Sequence, residues 1–127
     1  MSEDLLFYEG LRIFNELGGN LSIERLTAGQ RAVVTLVPPN ALSVEEVKKV
    51  MDEHGFVYKG TEEDVKIGGW GGGPPSHVEG HVALVFEKKL FDITIRAEAV
   101  YEKKRNGKLK FTKIVLRASD GWSEWSQ

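Results

Sequence analysis

Apolar residues in EDLLFYEGLRIFNELGG recur at helical spacing. Leu6, Ile13 and Leu17 form one stripe, Phe7, Leu11 and Phe14 lie beside it, and Gly18-Gly19 supplies the stop. LSIERLTAGQRAVVTLVPP predicts two short strands around a Gly-containing turn, closed by Pro38-Pro39. The next helix carries its own start signal. Ser43 is placed as N-cap with Glu46 at N3, a capping box, and Leu42 and Val47 flank it as a hydrophobic staple. Val44, Val47, Val50 and Met51 make its apolar stripe, and Gly55 ends it. FVYKG predicts a strand, and KIGGWGGGPPSH is too rich in Gly and Pro for regular structure.

From Val78 to Ala118 the pattern switches to a period of two and predicts a three-stranded antiparallel meander. With Asn106-Gly107 as a two-residue loop, Tyr101 faces Thr112, Ala99 faces Ile114, Ala97 faces Leu116 and Ile95 faces Ala118. A Lys88-Lys89 turn sets Phe86 opposite Phe91, Leu84 opposite Ile93, Val82 opposite Ile95, Gly80 opposite Ala97 and Val78 opposite Ala99. A slip of one residue in either hairpin scatters charges into that apolar face. The expected architecture is α+β, one domain over residues 1–127: a mostly antiparallel sheet with two helices packed on one face. Its order is α-β-β-α-β-loop-β-β-β.

Alternation also fixes what the other face shows. His77, Glu79 and His81 point that way from the first strand of the meander, Arg96, Glu98 and Glu102 from the middle strand, and Phe111, Lys113, Val115 and Arg117 from the last. In the predicted register His81 meets Arg96 and Arg96 meets Arg117, while Glu79 meets Glu98. Directly opposed like charges destabilise a sheet unless diagonal neighbours compensate them. One reading of this face is therefore a solvated checkerboard of charge.

Charge placement adds a second reading. The formal net charge is −2, but residues 88–118 hold ten Lys or Arg against three Asp or Glu. A basic segment of this kind suits an anionic partner, single-stranded nucleic acid first, with phosphate contacts from Arg96, Lys103, Lys104, Arg105, Lys108, Lys110, Lys113 and Arg117. Phe111, Trp70, Trp122 and Trp125 supply stacking surfaces for unpaired bases. In this reading the protein is a non-enzymatic binding module and needs no cofactor.

HVEGH supports a different chemistry. On a strand His77, Glu79 and His81 share a side, so two imidazoles and a carboxylate could hold a divalent metal such as zinc. Residues two apart on a strand lie about 7 Å from each other, so such ligands must lean inward to share an ion. Without metal, Glu79 beside Glu98 forms a carboxylate pair suited to general acid work in a small enzyme. A third reading takes Trp122 and Trp125 as anchors of a protein–protein or homo-oligomer contact.

Composition narrows the setting. The chain has 127 residues, enough for one domain burying about two-thirds of its unfolded surface. No stretch approaches the roughly 18 apolar residues of a membrane span, and the N-terminus MSEDLLFYEG is acidic, unlike a signal peptide. Together with zero cysteines this sets the expectation of a cytoplasmic protein without membrane partners. Few Asn and Gln beside many Lys and Glu fit a thermophilic source. The stretch WSEWS resembles the W-S-x-W-S motif of class I cytokine receptor domains and thrombospondin type 1 repeats. The resemblance covers five residues. The first fold has no place for two helices, and the second follows its motif with a cysteine; nothing is carried over from either.

Overall fold

The computed structural model describes residues 2–25, 32–67 and 78–119. Helix α1 (Ser2–Leu17) is followed by β1 (Asn20–Arg25) and β2 (Ala32–Val37), then helix α2 (Val44–Glu53). Strands β3 (Val57–Ile67), β4 (Val78–Leu90), β5 (Ile93–Lys103) and β6 (Leu109–Ser119) complete the chain order. All six strands form one antiparallel sheet in the order β1-β2-β6-β5-β4-β3. The α+β class and the C-terminal meander match the pattern read from the sequence. Pairing of β2 with β6, Val34 against Leu116 and Leu36 against Ile114, joins the first hairpin to the meander.

Both helices pack on one face. Leu6 and Ile13 of α1 and Val47, Val50 and Met51 of α2 are buried in one cluster with Val34, Leu36, Leu84, Phe86, Ile95, Ile114 and Leu116 of the sheet. Along β5 burial alternates residue by residue, with Ile93, Ile95, Ala97, Ala99 and Tyr101 inward. The α2 capping box is present in full: Glu46 N donates to Ser43 Oγ at 3.1 Å, and Ser43 N donates to Glu46 Oε1 at 2.8 Å. Gly10 lets α1 approach β2 closely, since a Cβ there would lie 2.8 Å from Val34 Cγ1.

One charged pair enters this apolar layer. Lys88 faces the helices from β4 and donates to Glu9 Oε1 and to the carbonyl of His54, both at 2.9 Å. Its ammonium also lies 5.6 Å from the centre of the Phe56 ring. His54, the C-cap of α2, has Nε2 2.9 Å from Glu16 Oε1, so the end of α2 is tied to α1 as well as to the sheet.

Three local predictions are corrected. The β4–β5 turn is Phe91-Asp92 rather than Lys88-Lys89, with Leu90 paired to Ile93. Leu84 therefore faces Ala99, Val82 faces Tyr101 and Phe86 faces Ala97. Each partner moves by six residues, an even number, so every side chain keeps its face. Lys88 reads as a turn residue by its charge, yet Glu9 compensates that charge from the far end of the chain. Phe91 has φ 58°, the only positive φ at a non-glycine among the described residues. A positive φ at the first loop position alone is the type II′ arrangement, normally served by glycine.

The β5–β6 loop holds three residues, not two. Gly107 N donates to Lys104 O at 2.9 Å and Lys104 N donates to Lys108 O at 2.8 Å, with Gly107 at φ 84°. This is a tight turn followed by a left-handed glycine. The extra loop residue offsets the tip register by one, and a bulge at Thr112 takes the offset back. Below the bulge the predicted pairs hold, Ile95 to Ala118, Ala97 to Leu116 and Ala99 to Ile114. Above it Tyr101 faces Phe111 rather than Thr112, and both rings are buried, 5.4 Å apart and edge to face. Finally, β3 runs well past FVYKG, through Glu62 and Glu63 to Ile67, with a bulge between Tyr58 and Gly60.

Candidate functional site

The registers fix the rows of the face opposite the helices. One row reads Arg117, Arg96, Glu87 across β6, β5 and β4, and the next reads Val115, Glu98, Val85, Gly60. A third reads Lys113, Val100, Ala83, Glu62, and beyond the bulge Lys110 and His81 flank Glu102. His81 therefore meets Glu102, not Arg96, and Val85, not Glu79, is the β4 neighbour of Glu98. Glu79 aligns instead with Lys66 of β3, so the predicted carboxylate pair is not formed by the strand register.

Arg96 and Arg117 do face each other, and carboxylates bind them from the diagonals. Glu98 Oε2 accepts from Arg96 Nε at 3.1 Å, and its Oε1 accepts from Arg117 Nη1 at 2.9 Å. Arg96 Nη2 reaches across β4 to both carboxylate oxygens of Glu62, each at 2.9 Å. Burial opposes the charge of Arg96, but the hydrogen bonds and attraction of Glu62 and Glu98 outweigh it and raise its pKa. The long stems also shelter the apolar residues between them. Val85 and Val115 are only 4% and 6% exposed although, among the described residues, no helix packs on this side.

Described residues of this face line two adjoining depressions. The larger, about 420 Å³, is lined by His81, Glu98, Val100, Thr112, Lys113, Val115 and Arg117. The smaller, about 240 Å³, is lined by Glu62, Glu63, Ala83 and again His81, Glu98 and Val100. Their rims differ in sign. Lys113 and Arg117 border the first, whereas two further glutamates border the second. Glu62, Glu63 and Thr112 are absent from the site read in the sequence, because FVYKG stopped the strand short of the first two and the bulge was not signalled. Continued alternation through TEEDVKI was the available signal, masked by three consecutive acidic residues.

The remaining predicted cations collect at the β5–β6 hairpin. Lys103 pairs with Glu63 at 3.5 Å, and Lys104 pairs with Glu102. The bond and charge of Lys104 hold the Glu102 carboxyl below its ordinary pKa. Arg105, Lys108, Lys110 and Lys113 are exposed. Lys108 and Lys113 make no ion pair among the described residues. Phe111 is a correction: the tip offset turns it into the core at 8% exposure, so it offers no stacking surface. Trp70, Trp122, Trp125 and His77 lie outside the described residues, as does the side chain of Glu79. Ile67, the last described residue before Trp70, lies at the Lys103 end of β5, and Ser119, the last before Trp122, lies at the Thr94 end.

Among the described residues no group of three or more His, Asp or Glu is placed to hold a metal, and no helix is long and apolar enough to cross a membrane. Compared with protein-family models, curated proteins and solved structures, the chain matches none.

Proposed function

We propose that this protein is a non-enzymatic binding module for an anionic partner, single-stranded nucleic acid first, engaged through the β5–β6 hairpin and the adjoining strip of the open face. The observation that carries this reading is the clustering of Lys103, Lys104, Arg105, Lys108, Lys110 and Lys113 at one end of the sheet. Lys108 and Lys113 have no carboxylate partner among the described residues. The pairs of Lys103 and Lys104 lie at the surface, where an ion pair contributes at most about 1 kcal/mol. Phosphates can displace such pairs. Arg96 is different, since Glu62 and Glu98 hold it in a half-buried network, and it belongs to the scaffold of the face.

With Phe111 inside the core, the support is electrostatic rather than aromatic. Binding should then be tolerant of sequence and steep in salt. Neutralising about five phosphates gives a log–log salt slope near −3.5 for a single strand. Anisotropy of a labelled oligothymidylate across a salt series tests this. Binding at low salt with that slope, reduced by about one for each of Lys108→Glu and Lys113→Glu, supports the reading. No binding at low salt, or affinity indifferent to salt, overturns it.

A further inference from the structure

We propose that the larger depression on the open face is a binding site for a small amphipathic monoanion, a carboxylate carried on a compact apolar body. This rests on the anion-binding reading only in sharing Lys113, and it assigns that residue a ligand that a polyphosphate chain does not resemble. Val100 of β5 and Val115 of β6, diagonal neighbours in adjacent rows, supply the apolar part of the floor. The basic side of the rim is supplied by β6. Lys113 makes no ion pair among the described residues, and Arg117, 42% exposed at its side chain, gives one N–H to Glu98. A guanidinium has five N–H groups, so Arg117 keeps donors for a second carboxylate. Thr112 shapes the wall where the bulge lifts β6, its hydroxyl donating to Val100 O at 2.8 Å.

Size and sign select the ligand. A depression of about 420 Å³ falls within the range of small-molecule sites, which pair an apolar lining with a few placed polar groups. Among the described residues, one lysine without an ion pair and one half-engaged arginine beside Glu98 leave an excess of one positive charge, matching a monoanion. The neighbouring depression is the internal control. It shares His81, Glu98 and Val100, yet Glu62 and Glu63 at its border repel the same ligand. Specificity between adjacent sites then comes from charge, the floor being apolar in both.

The test is an amide-resolved NMR titration of the full chain with three probes: benzoate, benzyl alcohol and acetate. The expected result is saturable shifts from benzoate at Val100, Thr112, Lys113 and Val115, with a dissociation constant in the millimolar range. Acetate, which lacks the apolar body, and benzyl alcohol, which lacks the charge, should each bind at least tenfold more weakly. Lys113→Met and Arg117→Met keep the stems over Val115 and should each weaken benzoate at least fivefold. Equal shifts from acetate, shifts centred on Ala83 and Glu62, or no saturable shift from benzoate overturns the proposal. An oligothymidylate titrated in parallel separates the two readings. Oligonucleotide shifts at the hairpin with none from benzoate leave the nucleic-acid reading standing and remove this site. Benzoate shifts at the four named amides with none from the oligonucleotide do the reverse.

Discussion

Lys88 Nζ lies 2.9 Å from Oε1 of Glu9, a carboxylate whose side chain is only 2% exposed. The pair links α1 to the sheet across 79 positions of sequence. Removing one member of a buried pair strands the other charge at a cost of about 3–5 kcal/mol, whereas replacing both by apolar residues is often neutral or stabilising. Lys88→Met should therefore lower unfolding free energy in urea titration, by less than that amount because Arg12 Nη1 stays 3.5 Å from Glu9 Oε2. Glu9→Leu combined with Lys88→Met should recover most of it, a coupling that a double-mutant cycle reads directly.

Tyr101 sets the alkaline limit. Burial first, then the charges of Glu46 and Glu45, push its hydroxyl up to about 12. Its ordinary value is 10.0, so above that pH the unfolded chain loses the proton while the folded chain keeps it. Stability from this group is full below pH 10 and falls away as pH rises toward 12, by roughly 1–3 kcal/mol in total. Unfolding followed between pH 9 and 12 should show that decline in the parent chain. It should be smaller in Tyr101→Phe, which starts lower at neutral pH because Leu42 O loses its donor.

The β4–β5 turn offers a gain. Phe91 occupies a positive φ at 90% exposure, so it carries backbone strain without the reward of burial. Phe91→Gly relieves a conformation that costs a non-glycine residue about 1–3 kcal/mol, against a smaller entropic loss from glycine in the unfolded chain. The net expectation is about 1 kcal/mol of added stability, seen as a higher denaturation midpoint at unchanged slope.

Gly10 should resist the usual improvement. Replacing glycine by alanine inside a helix ordinarily gains up to about 1 kcal/mol. Here the new methyl would sit 2.8 Å from Val34 Cγ1, in a fully buried layer. Overpacking of that kind costs about 1–3 kcal/mol. Gly10→Ala should thus destabilise, and a paired Val34→Ala should recover part of the loss by making room.

Much of the fold was legible because burial imposes a period. The central register of β5 with β6, from Ile95–Ala118 to Ala99–Ile114, follows from alternation alone, and the α2 cap from Ser43 and Glu46. What escaped the reading has a common cause, compensation from elsewhere in the chain. Lys88 looks like a surface turn residue until Glu9 is placed beside it. Arg96 looks free for phosphate until β3 extends far enough to bring Glu62 across β4. Phe91-Asp92 carries no turn signal, since Phe is a poor choice for a left-handed position. The candidate face was found correctly as a face, because both hairpin errors left its main rows on the same side, while its partners were not.

The paired loop and bulge of the β5–β6 hairpin imply a choice between two closures. The twelve residues from Tyr101 to Thr112 can close over a two-residue Asn106-Gly107 loop with no bulge, or over three loop residues with Thr112 extruded. Both leave Val100 opposite Lys113, so the body of the sheet cannot tell them apart. Only the tip differs, and there the second closure seats Phe111 against Tyr101, burial that contributes about 2–3 kcal/mol. Phe111 thus acts as a selector. A polar residue in its place would remove the preference, releasing the tip to turn over and exchange the outward positions of Lys110 and residue 111 while the strands beneath stay still.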